Sequence, residues 1–95
     1  QSIVYAAHFS HMIHIHTPAK KTLITRLPFK SFIAPLCQDA RFFVCGRGVI
    51  VNLEHAADFE DTAFIMDEGS RVFFSRELMK SARQAFMVFL LQRGH

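Results

Sequence analysis

The feature that most constrains the fold is a pair of apolar runs separated by one charged residue between two glycines. Val49-Ile50-Val51 is three β-branched residues in succession, which predicts a strand buried on both faces or nearly so. Phe42-Phe43-Val44 predicts a second strand in the same way. Gly46 and Gly48 allow the backbone to turn, and Arg47 offers a rigid fork of donors that fits phosphate or a guanine edge. The plainer interpretation is a β-turn whose arginine is solvated.

The rest of the chain predicts a mainly β fold around this pair. Alternating apolar residues and turn residues predict antiparallel strands over residues 3–9, 12–17, 21–26, 56–60, 62–66 and 71–74. Pro28 begins a short helix, which Pro35 ends or bends, and Ser75 is the predicted N-cap of a long terminal helix that Gly94 ends. We therefore expect an elongated stack of small antiparallel sheets with one short internal helix and a C-terminal helix.

Length and composition restrict the class of protein. The 95 residues make a single domain, and a hydrophobic content of 51% with 11 phenylalanines excludes disorder. There is no apolar run of about eighteen residues, so we expect no membrane span. The two cysteines, Cys37 and Cys45, are too few for a disulfide scaffold; we expect both to be small buried side chains in a reducing cytoplasm.

The charges are unevenly distributed along the chain. Residues 1–38 contain four lysines and arginines and no acid, whereas six of the eight acids lie between residues 54 and 68. One side of the molecule is therefore predicted to be basic and another acidic, which suits an anionic partner on one face. Chance asymmetry in a short chain, with no partner, is the alternative.

Neither a metal site nor an enzyme is expected. His14 and His16 are two apart and point the same way on a strand, but two ligands do not make a site, and no acid or cysteine lies nearby in sequence. The sequence has no glycine-rich phosphate loop, nucleophile elbow or suitably spaced carboxylate pair. We therefore expect no catalytic residues and no cofactor.

Nucleic-acid binding has a physical basis in this sequence. His11, Arg47 and Arg76 each occupy a junction between predicted elements, where side chains project rather than pack. Arg76 also stands at the start of the terminal helix, whose free N–H groups and dipole favour a phosphate. The candidates for contacts with the DNA backbone are Lys20, Lys21, Lys30, Lys80 and Arg83.

Three stretches, in order, resemble the motifs of LytTR-type DNA-binding domains. Residues 42–52, FFVCGRGVIVN, resemble the pattern F-[FV]-R-[CI]-H-R-S-Y-[IV]-V-N. Residues 3–17, IVYAAHFSHMIHIHT, resemble the opening I-[LV]-Y-I-E-A-x-G-H-Y-[VT]-x-[IL]-H-T. Residues 64–76, FIMDEGSRVFFSR, resemble the closing hairpin, which ends in a Ser-Arg pair.

The resemblance implies a function and a context. It implies the output domain of a bacterial-type transcriptional response regulator that binds direct-repeat promoter sites in double-stranded DNA. Its loops would read successive major grooves, with His11, Arg47 and Arg76 contacting bases. It also implies that the first strand of the domain and a receiver domain precede Gln1.

Four departures from the family pattern fall in the central motif. Val44, Gly46, Gly48 and Val49 stand where the family commonly has Arg, His, Ser and Tyr. One cation, one imidazole and two hydroxyls are thereby removed, and the glycines raise the entropy cost of ordering the loop on binding. The alternative function is a divergent LytTR framework that acts as a protein-interaction or homodimerisation module through the apolar residues 87–91, with weak or no DNA binding.

Overall fold

The computed structural model describes residues 3–46 and 48–93, which form two antiparallel sheets and two α-helices. The strands are β1 (Tyr5–Phe9), β2 (Met12–His16), β3 (Thr22–Thr25), β4 (Phe42–Gly46), β5 (Val49–Asn52), β6 (Ala56–Glu60), β7 (Ala63–Met66) and β8 (Arg71–Phe73). The helices are α1 (Phe29–Leu36) and α2 (Met79–Arg93), and 3-10 turns cover Leu53–His55 and Arg76–Leu78. The predicted mainly β fold with a short internal helix and a C-terminal helix is confirmed.

The order of the strands places two turns at the same end of the larger sheet. The five-stranded sheet runs β3-β2-β1-β5-β4, and the three-stranded sheet runs β6-β7-β8. β1 and β2 are joined by the two-residue turn Ser10–His11, and Ala7 of β1 pairs with Val49 of β5. The β1–β2 turn and the β4–β5 turn therefore lie at one end of the sheet, which we call the hairpin end. β3 also finishes there, because Thr25 pairs with Ile13.

Helix α1 covers one face of the five-stranded sheet. Ala6, Ile13 and Ile50 are fully buried on that face. The apolar side chains of α1 packed against them are Phe29, Phe32, Ile33 and Leu36. The helix continues one residue past Pro35, since the Cys37 N–H still donates to the Ile33 carbonyl at 2.8 Å.

The second core lies between the two sheets and α2, around Phe64. This ring is fully buried, and ring centroids of Phe43, Phe59, Phe74 and Phe86 lie 5.3–6.1 Å from its own. The helix contributes an apolar face, on which Ala82 and Phe86 are buried. β5 is buried as predicted, with Ile50 and Val51 fully inaccessible, whereas Phe42, Phe43 and Val44 of β4 are only half-buried.

Two local predictions are wrong. Ser75 does not cap an α-helix: its side chain makes no capping hydrogen bond, and the chain first closes a 3-10 turn in which the Leu78 N–H donates to the Ser75 carbonyl at 2.9 Å. Cys37 is exposed because it follows the last turn of α1, whereas Cys45 is buried as expected. Gly94 lies outside the described residues. No helix within the described residues is long and apolar enough to cross a membrane.

Candidate nucleic-acid interface

The three junctions predicted to face DNA lie next to one another at the hairpin end. The His8 N–H, beside the β1–β2 turn, donates to the Gly48 carbonyl of the β4–β5 turn at 2.6 Å. On the other side, a Cβ placed on Gly46 would lie 3.7 Å from Leu78 Cδ1 and 4.0 Å from Ser75 Oγ. The β4–β5 turn therefore lies close to the segment that carries Arg76. Arg47 itself lies outside the described residues.

The two glycines of the β4–β5 turn have structural reasons to be glycine. Gly46 and Gly48 have φ angles of 122° and 64°, which side chains with a Cβ rarely adopt. A Cβ on Gly48 would also lie 2.9 Å from the Cβ of His8, closer than such atoms approach. The family's usual side chains are therefore absent from two positions where the backbone is left-handed and, at Gly48, where β1 approaches the turn closely.

His11 projects from a tight turn at this end. Ser10 and His11 have φ angles of 52° and 64°, the combination of a type I′ turn, whose twist matches that of the flanking strands. Both side chains are exposed. Left-handed backbone at two residues other than glycine costs free energy, so the turn holds His11 outward at some cost in stability.

Arg76 is exposed at the start of the 3-10 turn that leads into α2. The beginning of α2 lies at the hairpin end, next to Gly46, whereas its last turns lie beside Ala40, which precedes β4. The positive end of the helix dipole is therefore directed towards the hairpin end. Of the predicted backbone-contacting residues on α2, Lys80 is exposed, and the exposed Arg83 stacks its guanidinium over the Phe59 ring at 5.5 Å.

Sequence reasoning missed Arg26 as a candidate at this end. It follows Thr25, the partner of Ile13, so it continues the β3 register towards the β1–β2 turn, and it is exposed. Lys30 lies close by at the start of α1, where the ring of the preceding residue, Phe29, is 6.5 Å from that of His8. The position of Arg26 could have been predicted from the strand spacing, because the third strand of an antiparallel meander ends beside the turn that joins the first two.

Lys20 and Lys21 are not at the hairpin end. They belong to the β2–β3 turn, in which the Thr17 N–H donates to the Lys21 carbonyl at 3.0 Å, and this turn is at the opposite end of the sheet. Their predicted contact with the DNA backbone stays a prediction. The structure separates them from His11 by the length of β2.

Most acids lie away from the hairpin end. Asp39 and Glu54 pair with Arg41 at 2.7 and 3.3 Å beside the opposite end of β4, and the Arg41 hydrogen bonds hold the pKa of Asp39 below its ordinary value. The acids near Arg76 are Glu77, which follows it, and those of the β6–β7 turn. That turn lies near Arg76 because the Phe74 N–H, two residues before Arg76, donates to the Thr62 carbonyl. The predicted charge separation is therefore partial.

We expect stability to fall as the pH is lowered from about 7 to about 5, in part through His16. Its ring stacks on Tyr5 with centroids 4.2 Å apart, and burial keeps its pKa below the ordinary 6.5, against a smaller opposing effect of Glu68. The unfolded chain thus binds a proton at His16 more readily than the folded chain does. The stabilising contribution of the neutral His16 ring is therefore full above pH 6.5 and is lost as the pH falls below it. The melting temperature of His16→Phe, which keeps the stacking, should depend less on pH; identical pH profiles would contradict this assignment.

The described residues offer little for metal binding or nucleophilic chemistry. Within residues 3–46 and 48–93, no three His, Cys, Asp or Glu side chains are placed to hold a metal ion. Burial raises the pKa of the Cys45 thiol to about 12, so this sulfur stays protonated at neutral pH. The absence of a cofactor and of catalysis remains a prediction.

Comparison with known proteins agrees with the geometry. The family model described as the LytTr DNA-binding domain matches residues 1–87. Among solved structures, the chain is similar to a LytTr DNA-binding domain from Bacillus cereus, of a protein described as a putative methyl-accepting/DNA response regulator. The TM-score is 0.72 at 21% sequence identity, over 88% of this chain and 80% of that one, which shows a shared fold. No curated protein matches the chain. Because the family model covers most of its length, the chain belongs to the LytTR family of DNA-binding domains.

Proposed function

We propose that this domain binds duplex DNA sequence-specifically as the output domain of a transcriptional response regulator, with its hairpin end in the major groove. The observation that carries the proposal is that three separate junctions lie close together at one end. β1 is hydrogen-bonded through His8, shortly before the β1–β2 turn, to the β4–β5 turn, which lies close to the segment before α2. A two-stranded ribbon ending in a tight turn has the width that the major groove admits.

Each base-contacting residue has a chemical role in this proposal. His11 offers an imidazole on a fixed, exposed turn, and Arg76 offers a guanidinium that can bond guanine O6 and N7 together. Arg47 would do the same at a second position, as its neighbours Gly46 and Gly48 belong to this end of the sheet. The direct-repeat promoter site and the reading of successive grooves are part of the same proposal.

Phosphate contacts would flank these bases. Lys30 and Lys80 are exposed and belong to elements that start near the hairpin end, and Arg26 joins them. The positive end of the α2 dipole, which is directed towards the hairpin end, adds an attraction for a phosphate. Lys20, Lys21 and Arg83 lie further from this set or are already engaged, so we assign them the weaker contacts.

Fluorescence anisotropy across a salt series tests the proposal. The probes are a duplex with two LytTR-like direct repeats and a scrambled duplex of equal length. We expect tighter binding to the repeats, with the logarithm of the affinity falling linearly against the logarithm of salt concentration. Equal weak binding to both duplexes would refute sequence-specific reading.

The alternative function, homodimerisation through α2, has one observation in its favour. Met87, Val88, Leu90 and Leu91 are 40–67% exposed, which is unusual for four neighbouring apolar residues. However, residues 79–93 contain three cations and no acid, so pairing two copies of this helix brings like charges together. A mass that rises with protein concentration, in a domain without affinity for DNA, would favour this alternative.

A further inference from the structure

Phe9 has the most exposed large apolar side chain among residues 3–46 and 48–93, at 68%. It is the last residue of β1, opposite Met12 and directly before the Ser10–His11 turn. Its ring meets the edge of the His14 ring, with centroids 5.8 Å apart, and otherwise faces solvent. A phenylalanine with little core contact thus stands beside the residue predicted to read DNA.

The strand register shows which way Phe9 points. Side chains alternate along β1, so Phe9 shares a face with Tyr5, which pairs with Val51. Val51 is buried in the core that α2 closes, together with Leu78. Phe9 therefore projects from the same face of the sheet as the segment that carries Arg76, beyond the part that α2 covers.

Exposure alone would not assign a role to Phe9. Phe73 and Leu91 are also 63% and 67% exposed, on the edge strand β8 and in the last turns of α2. What distinguishes Phe9 is its position at the hairpin end, next to an imidazole and on the side of Arg76. A large apolar side chain among polar DNA-reading groups gains free energy when it contacts an apolar group on the DNA.

We propose, on the premise that the domain reads DNA as proposed above, that Phe9 contacts the 5-methyl group of a thymine beside the base read by His11. Thymine is the one base that presents an apolar group in the major groove, and phenylalanine is among the side chains that contact it. The domain would therefore select thymine at that position by hydrophobic contact. Phe9 is a specificity-determining residue in this scheme.

The test replaces thymines one at a time by deoxyuridine, which lacks only the methyl group. The probe is the duplex that the wild-type domain selects from a randomised library. We expect one substitution to weaken wild-type binding about 4-fold, the equivalent of one buried methyl group. Phe9→Ala should bind the all-thymine duplex about 4-fold more weakly and should not respond to deoxyuridine at that position.

Two further variants control for folding and for exposed surface. Phe9→Leu keeps an apolar side chain and should retain part of the response to deoxyuridine. Leu91→Ala removes an equally exposed side chain far from the hairpin end and should bind every duplex as the wild type does. Melting temperatures of all variants identify any that fail to fold, in which case the comparison rests on Phe9→Leu.

The inference and its premise fail in different ways. If the wild type selects a sequence but no thymine responds to deoxyuridine, or if both Phe9 variants respond as the wild type does, the role of Phe9 is refuted while DNA reading stands. If the wild type selects no sequence from the library, the DNA-reading proposal itself fails, and the role of Phe9 fails with it.

Discussion

Phe64→Ala should lower the free energy of unfolding by about 3–5 kcal/mol. Phe64 is fully buried, and the rings of Phe43, Phe59, Phe74 and Phe86 pack around it, joining both sheets to α2. The variant loses the transfer free energy of the ring and leaves a cavity that four neighbouring rings fill only in part. Domains of this size are stable by only about 5–15 kcal/mol, so much of the stability would be lost.

Phe73→Ala is the matched control for this prediction. It removes the same side chain from the adjacent strand β8, at a position that is 63% exposed. We expect a change within about 0.5 kcal/mol, as for most surface substitutions. Urea denaturation measures both variants through the midpoint and the slope. Equal losses for Phe64→Ala and Phe73→Ala would mean that the packing around Phe64 does not hold the two sheets together.

The sequence predicted the strands well because their signals are local. The β-branched run 49–51 forms β5, in which Ile50 and Val51 are buried, and the alternating run 12–16 forms β2. The start of the terminal helix was missed because Ser75 is a favourable N-cap in sequence, whereas the chain closes a backbone 3-10 bond first. Cys37 was misplaced because its apolar neighbours belong to a helix that ends just before it.

The convergence at the hairpin end could not be predicted from local pattern. It depends on the pairing of Ala7 with Val49. Three other strands of the same sheet lie between these residues in the sequence, and no local secondary-structure propensity fixes the register of such a distant pair. The resemblance to LytTR domains supplied His11, Arg47 and Arg76 as a set. It gave no reason to separate Lys20 and Lys21 from the other candidates for phosphate contacts, nor to include Arg26 among them. The ends of the sheet at which these residues lie follow from the direction of the strands.

Arg47→Ala should weaken binding to the selected DNA site by about 1–3 kcal/mol, roughly a 5- to 150-fold loss of affinity, and relax specificity at one position. The reason is that a guanidinium bonded to guanine O6 and N7 distinguishes that base from the other three. The loss on random duplex should be much smaller. Competition of cognate against scrambled duplex, read by anisotropy, measures the ratio directly.

Lys30→Ala is the matched variant that distinguishes base-specific contacts from non-specific attraction to the phosphates. Lys30 is exposed at the start of α1, near the hairpin end, and a lysine that contacts phosphate carries no base information. Its removal should weaken binding to cognate and scrambled duplex alike and reduce the salt slope by about 0.9. Arg47→Ala should therefore change the ratio of the two affinities, and Lys30→Ala should leave it constant. If Arg47→Ala instead lowers both affinities equally, Arg47 contacts the phosphate backbone, and the sequence must be read by His11, Arg76 or Phe9.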